Sequence, residues 1–266
     1  MNKLVSLAEA AALVNTGDTL SLGGMTLYRR PVAFVCALLG RPTPPRDLTL
    51  LSFTSSYESD LLIGAGLVKR TRTCYFGFEG FGFAPMFTQA VNLGDVEVVE
   101  ETEASLAFGL RATLADVGFM AGRGWVGTDL PRLRPDVKTV TDPYNGEVLM
   151  AFPALRPTVA VLHALEADAQ GNARLNRNLG IDMELAIAAE RVIVTAETIV
   201  EKLDQVDIVG PLVTAVAAAP RGAWPTSCHP LYPVDGTEVL NYLETCAREA
   251  FDEYLQVRLQ AGALLP

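Results

Sequence analysis

Residues 17–31 have the sequence GDTLSLGGMTLYRRP, and this stretch indicates the type of fold. The apolar run Thr19–Leu22 alternates like a β-strand and stops at the pair Gly23-Gly24. A glycine pair at a strand end tolerates positive φ and has no Cβ, so another molecule can approach the backbone closely. Pro31 then stands where a helix is predicted to begin, at the position that proline tolerates best. The stretch therefore predicts a strand, a glycine turn and a helix.

Two cations lie between the glycine turn and the predicted helix. Arg29 and Arg30 follow the turn directly, and a helix N-terminus attracts negative charge. One interpretation is therefore a binding site for an anionic ligand. The other is an ordinary strand-to-helix turn with solvated arginines, and this stretch alone leaves both open.

The composition limits the classes of function. The 266 residues are 50% hydrophobic with a mean hydropathy of +0.25, and the net charge of −10 argues against a nucleic-acid surface. The longest apolar runs, such as residues 213–219, fall far short of the roughly 20 residues that a membrane helix needs. We expect no membrane segment and a cytoplasmic location.

Cysteine and histidine are sparse. The four cysteines are Cys36, Cys74, Cys228 and Cys246, with no CxxC spacing, so we expect free thiols, no disulfide framework and no metal site. His163 is predicted to be a satisfied strand residue. His229 stands beside Cys228, but sequence neighbours on a loop rarely align as a catalytic pair.

Strands alternate with helices along the chain, without a linker or an internal repeat. Ser6 and Glu9 form a capping box for a first helix over residues 6–15, residues 117–120 are predicted as a strand, and residues 237–259 as a helical tail. This order predicts one α/β domain over residues 1–266, with an open, mainly parallel sheet and flanking helices.

Acidic residues crowd the predicted strand end near residue 100. Glu97, Glu100, Glu101 and Glu103 stand there, with Thr102 as the expected N-cap of the next helix. Simple helix capping explains the group. The alternative is that one carboxylate faces a ligand, since ligands bind at the carboxyl ends of parallel strands. A further carboxylate, Glu79, is expected to be buried between phenylalanines.

The glycines Gly122, Gly124 and Gly127 match the dinucleotide pattern GxGxxG literally. That fingerprint needs a helix opening on the last glycines and an acidic residue about 20 positions on. The chain continues instead with Thr128-Asp129-Leu130-Pro131. We therefore reject a dinucleotide site here.

Several motifs together resemble the α subunit of a two-subunit CoA-transferase of the glutaconate CoA-transferase type. They occur in family order over nearly the whole chain, and no single one is specific. They are Leu22-Gly23-Gly24 before Arg29-Arg30-Pro31, FGFEGFG at residues 76–82, residues 100–106, Gly127-Thr128-Asp129, residues 163–172, and PTSCHPLY at residues 225–232.

The resemblance implies an acyl-CoA substrate and a paralogous β subunit, in an α2β2 assembly. A glutamate of that β subunit would attack the acyl-CoA, and CoA would pass to a carboxylic acid, with a dicarboxylate favoured. No cofactor beyond the CoA thioester itself is implied. The residues assigned to CoA or substrate binding are Gly23, Gly24, Met25, Arg29, Arg30, Glu79, Gly80, Arg123 and Gly127.

Other branches of the family open rings of CoA thioesters by hydrolysis or decarboxylate a glutaconyl-type CoA. In the ring-opening branch the α-type subunit carries a glutamate in the segment that matches residues 100–106. Glu103 is the best match and Glu100 the second, so Glu103 is the predicted general base of that alternative. A non-catalytic binding or scaffold protein with the same fold is a further alternative.

Overall fold

The computed structural model describes the backbone of residues 2–262 and the side chains of residues 2–260. In this part of the chain the strands are β1 (Leu4–Val5), β2 (Thr19–Leu22), β3 (Leu48–Ser55), β4 (Val68–Phe76), β5 (Glu97–Glu100), β6 (Phe119–Gly122), β7 (Lys138–Thr141), β8 (Val148–Pro153), β9 (Val159–Asp168), β10 (Ala173–Arg174), β11 (Arg191–Val200) and β12 (Ala215–Ala218). The α-helices are α1 (Leu7–Ala11), α2 (Val32–Leu39), α3 (Tyr57–Gly64), α4 (Pro85–Leu93), α5 (Glu103–Leu114), α6 (Leu130–Leu133), α7 (Asp182–Ala188), α8 (Gly236–Ala247) and α9 (Phe251–Gly262).

The main sheet is open, and its strands follow the order β1-β12-β11-β9-β2-β3-β4-β5. Every pair along this path is parallel, and β10 adds an antiparallel partner to β9. The connections between paired parallel strands contain α2 (β2 to β3), α3 (β3 to β4), α4 (β4 to β5) and α7 (β9 to β11), whereas a loop with a 3₁₀ turn joins β11 to β12. The predicted α/β class with a mainly parallel sheet is confirmed.

Helices cover both faces of this sheet. Side chains of a strand point alternately to the two faces, and β9 shows the result: Val159 and Val161 pack in one hydrophobic cluster, while Ala160 and Leu162 pack in the other. The first cluster contains residues of α1, α2, α3, α8 and α9, and the second contains residues of α5 and α7. Burial on both faces explains why β9 is apolar almost throughout.

A second, antiparallel sheet with the order β6-β8-β7 lies in the chain between α5 and β9. Phe152 of this sheet stacks on Phe108 of α5 and packs edge-to-face against Trp125. The indole Nε1 of Trp125 donates to Thr102 Oγ1 at 2.8 Å, which ties this sheet to the start of α5. The sequence predicted a strand at residues 117–120, and β6 instead begins at Phe119.

The predicted tail over residues 237–259 is helical, with one interruption. The chain forms two helices, α8 and α9, and Glu249 between them has φ +60°. Asp235 caps α8 by accepting from Glu238 N at 3.1 Å.

At the other end of the chain, the predicted capping box of Ser6 and Glu9 is present. Within the described residues, no helix combines the length and the apolar character that crossing a membrane takes.

Candidate functional site

Four neighbouring parallel strands end along one edge of the main sheet. β2 ends just before Gly23, β3 ends at Ser55, β4 ends at Phe76 and β5 ends at Glu100. Ligands of open parallel sheets bind outside the carboxyl ends of the strands. The glycine turn and both acidic segments singled out from the sequence therefore share this edge, which we call the strand-end edge.

Packing inside the chain requires both glycines of the turn. Gly24 has φ +80°, and a Cβ on it would lie 2.5 Å from Arg29 O. A Cβ on Gly23 would lie 2.6 Å from Leu162 Cδ2 and 2.7 Å from Asp182 Oδ1. Contacts this short force neighbouring atoms apart. The close approach that the sequence predicted at this turn is made by the protein itself.

The anion at the glycine turn is the carboxylate of Asp182. Gly24 N donates to Asp182 Oδ1 at 2.9 Å, and Arg29 Nη2 donates to Asp182 Oδ2 at 2.5 Å. The side chains of Asp182 and Arg29 are fully buried. Arg29 also donates to His163 O at 2.7 Å and to Asn178 O at 3.1 Å. Asp182, at the start of α7, thus holds the turn against the other half of the sheet.

Arg30 forms a second buried ion pair. Its Nη2 lies 2.5 Å from Glu58 Oε1, and both side chains are fully buried. Ser56 and Ser59 donate their hydroxyl protons to the same carboxylate, at 3.2 and 2.7 Å. Buried charges need partners of this kind because leaving water is costly. The sequence interpreted Arg29 and Arg30 as solvated or ligand-facing cations. This interpretation is corrected, because both arginines form buried ion pairs inside the protein.

The acidic residues near β5 divide into buried and exposed groups. Glu101 is 5% exposed, pairs with Arg72 at 2.5 Å and with Arg134 at 3.0 Å, and accepts from Ser105 Oγ. Glu100 and Glu103 are exposed. Thr102 is the N-cap of α5 as predicted, since its Oγ1 accepts from Ser105 N at 3.2 Å.

Glu103 is one of two exposed carboxylates here that have no partner among the described residues, and Glu100 is the other. Glu103 is the first residue of α5, and among the described residues its carboxylate has no ion pair or hydrogen bond. Burial, together with the charges of Glu103 and Glu101, raises the pKa of the nearby Cys74 thiol to about 12. The thiol beside Glu103 is therefore neutral.

Glu79 is exposed, which corrects the expected burial. It lies in a single 3₁₀ turn, Glu79–Phe81, with φ +54°, and its N–H donates to Tyr75 Oη at 3.0 Å. Phe78 takes the buried position instead, with 0% exposure. Gly80 is exposed, and a Cβ there would meet no atom within 4 Å. Both residues follow the end of β4 at the strand-end edge.

Three residues that the sequence assigned to the site remain to be described. Met25 is half-buried in the glycine turn and donates its N–H to Tyr28 O at 2.9 Å. Arg123 pairs with Glu147 at 2.5 Å, and its side chain is 74% exposed. Gly127 is exposed with φ +79°. Arg123 and Gly127 belong to the loop after β6, and a short helix with Pro131 follows, as expected for a segment that is no dinucleotide site.

A buried polar network was missed in the sequence. His163 Nε2 lies 2.8 Å from Glu197 Oε1, and His163 Nδ1 lies 2.8 Å from Thr195 Oγ1. Tyr232 Oη donates to the same Glu197, as does Arg221 N at 2.6 Å. Burial lowers the pKa of His163, so the ring is neutral. The pairing of β9 with β11 brings these residues together, and nothing local in the sequence indicates it.

The same network contains possible metal donors. Ligand atoms of His163, Glu197 and Cys228 lie within 4.8 Å of one another. To bind an ion they would have to give up the hydrogen bonds just described, and burial raises the pKa of the Cys228 thiol to about 12. The nearby guanidinium of Arg29 also opposes a second cation. His229, in contrast, is exposed and forms no pair with Cys228.

Comparison with known proteins identifies the family. The family model described as Coenzyme A transferase matches residues 4–217. The A subunit of a 3-oxoadipate CoA-transferase from Pseudomonas knackmussii is 36% identical over 243 residues, covering 88% of this chain and 85% of that protein. The cholesterol ring-cleaving hydrolase IpdA subunit of Mycobacterium tuberculosis is 32% identical over 270 residues, covering 93% and 89%.

Solved structures agree with these matches. The decarboxylase AibA/AibB C56S variant superposes with a TM-score of 0.91 at 31% identity, covering 98% of this chain and 100% of that chain. Glutaconate coenzyme A-transferase from Acidaminococcus fermentans superposes with a TM-score of 0.88 at 28% identity, covering 96% and 87%. This chain belongs to the coenzyme A transferase family. The resemblance seen in the sequence motifs is confirmed, and the relatives include transferase, hydrolase and decarboxylase members.

Proposed function

We propose that this chain is the α subunit of a two-subunit enzyme that moves CoA from an acyl-CoA to a carboxylic acid. Family membership supports the acyl-CoA substrate. The 36% identity to the A subunit of a 3-oxoadipate CoA-transferase, over 88% of this chain, carries the proposal. In this proposal the substrate binds along the strand-end edge, which carries the turn held by Asp182 and the exposed carboxylates of Glu79, Glu100 and Glu103.

The nucleophile of this reaction belongs to the partner β subunit. Its glutamate attacks the thioester carbonyl and expels the CoA thiolate, which leaves an acyl anhydride. The thiolate then attacks the glutamyl carbonyl and releases the first acid, forming a glutamyl-CoA thioester. The acceptor carboxylate then attacks the glutamyl-CoA carbonyl and expels the CoA thiolate, which gives a new anhydride. The thiolate attacks the acceptor's carbonyl in this anhydride, which releases the glutamate and forms the new acyl-CoA. Two moderate barriers thereby replace one high barrier, and no cofactor beyond CoA takes part.

The described surface supports a protein partner. The segment of the second sheet and its loops exposes large apolar side chains, and exposed apolar surface is typical of interaction sites. These residues are Phe119 at 48%, Val126 at 50%, Leu133 at 63%, Tyr144 at 97% and Val148 at 53% exposure. We propose that the β subunit covers part of this surface, in an α2β2 assembly located in the cytoplasm.

A second candidate function is hydrolysis of an acyl-CoA or of a ring within it. Glu103 favours it, because an unpaired carboxylate at the carboxyl end of β5 can remove a proton from an attacking water. The proton goes to Glu103 Oε, and the hydroxide oxygen bonds to the carbonyl carbon. The tetrahedral intermediate then collapses: a thioester loses the CoA thiolate, whereas a ring ketone loses its α-carbon, which takes the proton back from Glu103. The 32% identity to a ring-cleaving hydrolase subunit supports this candidate.

An exchange experiment distinguishes the two functions. The enzyme purified with its partner is incubated with an acyl-CoA and a labelled free acid. A transferase moves label into the acyl-CoA pool and releases no net thiol, with or without an acceptor acid. A hydrolase releases product without any acceptor and exchanges no label. Treatment with hydroxylamine in the presence of acyl-CoA, followed by peptide mapping, then finds the modified glutamate on the partner if transfer is the reaction.

A further inference from the structure

A cavity lies away from the strand-end edge, between α1, α2, α9 and the end of β12. Its volume is about 470 Å³, within the range of small-molecule sites. Most of the lining is apolar, with Leu7, Ala33, Ala37, Pro220 and Leu259 among the contributing residues. Arg258 is the one charged residue of the described lining. An apolar cavity with a single cation is the arrangement that suits a small amphiphilic anion.

Arg258 differs from the other buried arginines of the described chain. Arg29, Arg30 and Arg134 each have a carboxylate oxygen within 3.0 Å. Arg258 is only 5% exposed, yet none of the described carboxylates lies within ion-pair distance of it. Its Nε has no hydrogen-bond partner, as is also the case for Arg29 and Arg30. A buried cation without an anion is costly. Arg258 is also one of the residues that line the cavity, so an anion bound there would lie beside a cation that has no carboxylate partner among the described residues.

The surrounding contacts hold Arg258 in place. Its Nη2 donates to Trp224 O at 2.9 Å, and its guanidinium carbon lies 4.3 Å from the centre of the Trp224 ring. The carboxylate of Glu238 accepts from Tyr254 Oη at 2.5 Å, and that hydroxyl lies 2.6 Å from Tyr57 Oη. Glu238 thus reaches this region through a tyrosine and forms no ion pair with Arg258. The cation is oriented in advance, which lowers the entropic cost of binding.

We propose that this cavity binds a small aliphatic monocarboxylate. The carboxylate pairs with the Arg258 guanidinium, and the alkyl chain packs along Leu7, Ala37 and Leu259. Charge complementarity selects an acid over an amine or an alcohol, and the apolar lining selects an alkyl chain over a polar one. The inference rests on the cavity and its cation, so it stands independently of the proposed function.

Calorimetric titration of the full chain, purified together with any chain that binds it, tests the proposal. The probes are hexanoate, hexanol and hexylamine. We expect saturable binding of hexanoate, with one site per chain, and none of hexylamine. Arg258→Gln removes the charge and weakens hexanoate binding by roughly tenfold to a hundredfold, the range for hydrogen bonds to charged groups. Arg248→Gln, at an exposed arginine, is the matched control and leaves binding unchanged.

A second variant covers the case in which Arg258→Gln fails to fold. Ala37→Leu fills the cavity from α2 while leaving Arg258 in place, and we expect it to abolish hexanoate binding. Thermal unfolding confirms that each variant is folded. Absence of saturable hexanoate binding by the wild-type protein overturns the proposal. Binding that survives undiminished in Ala37→Leu overturns it as well, since the site would then lie elsewhere.

Discussion

Asp182 Oδ1 accepts a hydrogen bond from the backbone N–H of Gly24 at 2.9 Å, across 158 residues of chain. The second oxygen of this carboxylate pairs with Arg29 at 2.5 Å. One side chain at the start of α7 therefore determines the shape of the turn that follows β2. The substrates of this family carry charged CoA. The positive charge of Arg29 in this turn is already neutralised by the carboxylate of Asp182. Under the proposed function, a substrate at the strand-end edge would therefore meet a fixed turn in which Arg29 and Arg30 are already paired.

The first prediction concerns Asp182→Asn. Because removal of one partner leaves the Arg29 guanidinium buried without an anion, we expect the free energy of unfolding to fall by about 3–5 kcal/mol. Urea unfolding followed by circular dichroism measures it. Asp129→Asn is the control, since the Asp129–Arg132 pair is exposed on both sides and contributes little. A loss below about 1 kcal/mol for Asp182→Asn contradicts the proposed anchoring role.

The second prediction compares two glycines with positive φ. Gly66→Ala has φ +69° and no neighbouring atom within 4 Å of the new Cβ, so we expect a cost of about 1–2 kcal/mol from backbone strain alone. Gly24→Ala adds a 2.5 Å contact with Arg29 O, and we expect roughly a further 1–3 kcal/mol. Chemical denaturation of both variants gives the difference. Equal losses for the two would mean that the turn around Gly24 relaxes freely.

The third prediction separates chemistry from helix capping at Glu103. We expect Glu103→Gln to lower the turnover of the assembled enzyme at least about tenfold, and about 10²–10⁴-fold if the residue is a general base. The melting temperature stays unchanged because the carboxylate forms no pair. Glu97→Gln, at an exposed glutamate of β5 that pairs with Arg70, is the control with full activity. Unchanged turnover in Glu103→Gln would reduce that residue to a first-turn acid of α5 and rule it out as the general base.

The fourth prediction concerns the pH dependence of stability. Asp60 accepts from Phe87 N at 2.7 Å, Met86 N at 3.2 Å and Tyr242 Oη at 2.6 Å. Burial raises the pKa of this carboxyl from 3.8 to about 6, although these hydrogen bonds act in the opposite direction. Between about pH 4 and pH 6 the folded protein therefore keeps a proton that the unfolded chain has already released. The contribution of Asp60 to the free energy of unfolding is therefore fully present below about pH 4 and is lost as the pH rises through 6.

Asp60→Asn tests this directly, since the amide does not titrate. We expect the unfolding free energy of wild type, relative to this variant, to fall by up to about 3 kcal/mol between pH 4 and pH 7. Urea unfolding of both proteins at each pH gives the difference, in which the other carboxylates cancel. A difference that is flat, or that rises with pH, would show that the pKa of Asp60 is not raised.

Local patterns in the sequence were enough to predict much of the fold. The capping residues Ser6 and Thr102 are local signals, because a side chain and an N–H three residues on decide them. The strand at Thr19–Leu22 and the glycine turn after it were also predicted, since apolar alternation and a glycine pair are contained in one stretch.

The partners of the buried charges could not be predicted in this way. Arg29 and Asp182 are 153 residues apart, and only the pairing of β2 with β9 brings α7 to the turn. The network of His163 and Glu197 depends likewise on the register of β9 against β11. In the antiparallel second sheet, Trp125 packs against Phe152. The sequence around each of these aromatic residues does not indicate which residue it contacts.

The most direct test of the central claim is the native mass of the tagged chain purified from its own source, with peptide identification of everything bound stoichiometrically. We predict a complex in which this 28.5 kDa chain is matched one to one by a second chain of the same family, with two copies of each. That second chain supplies the nucleophilic glutamate. A homo-oligomer without a second chain would contradict the account and would return the search for the nucleophile to Glu103 and Glu79.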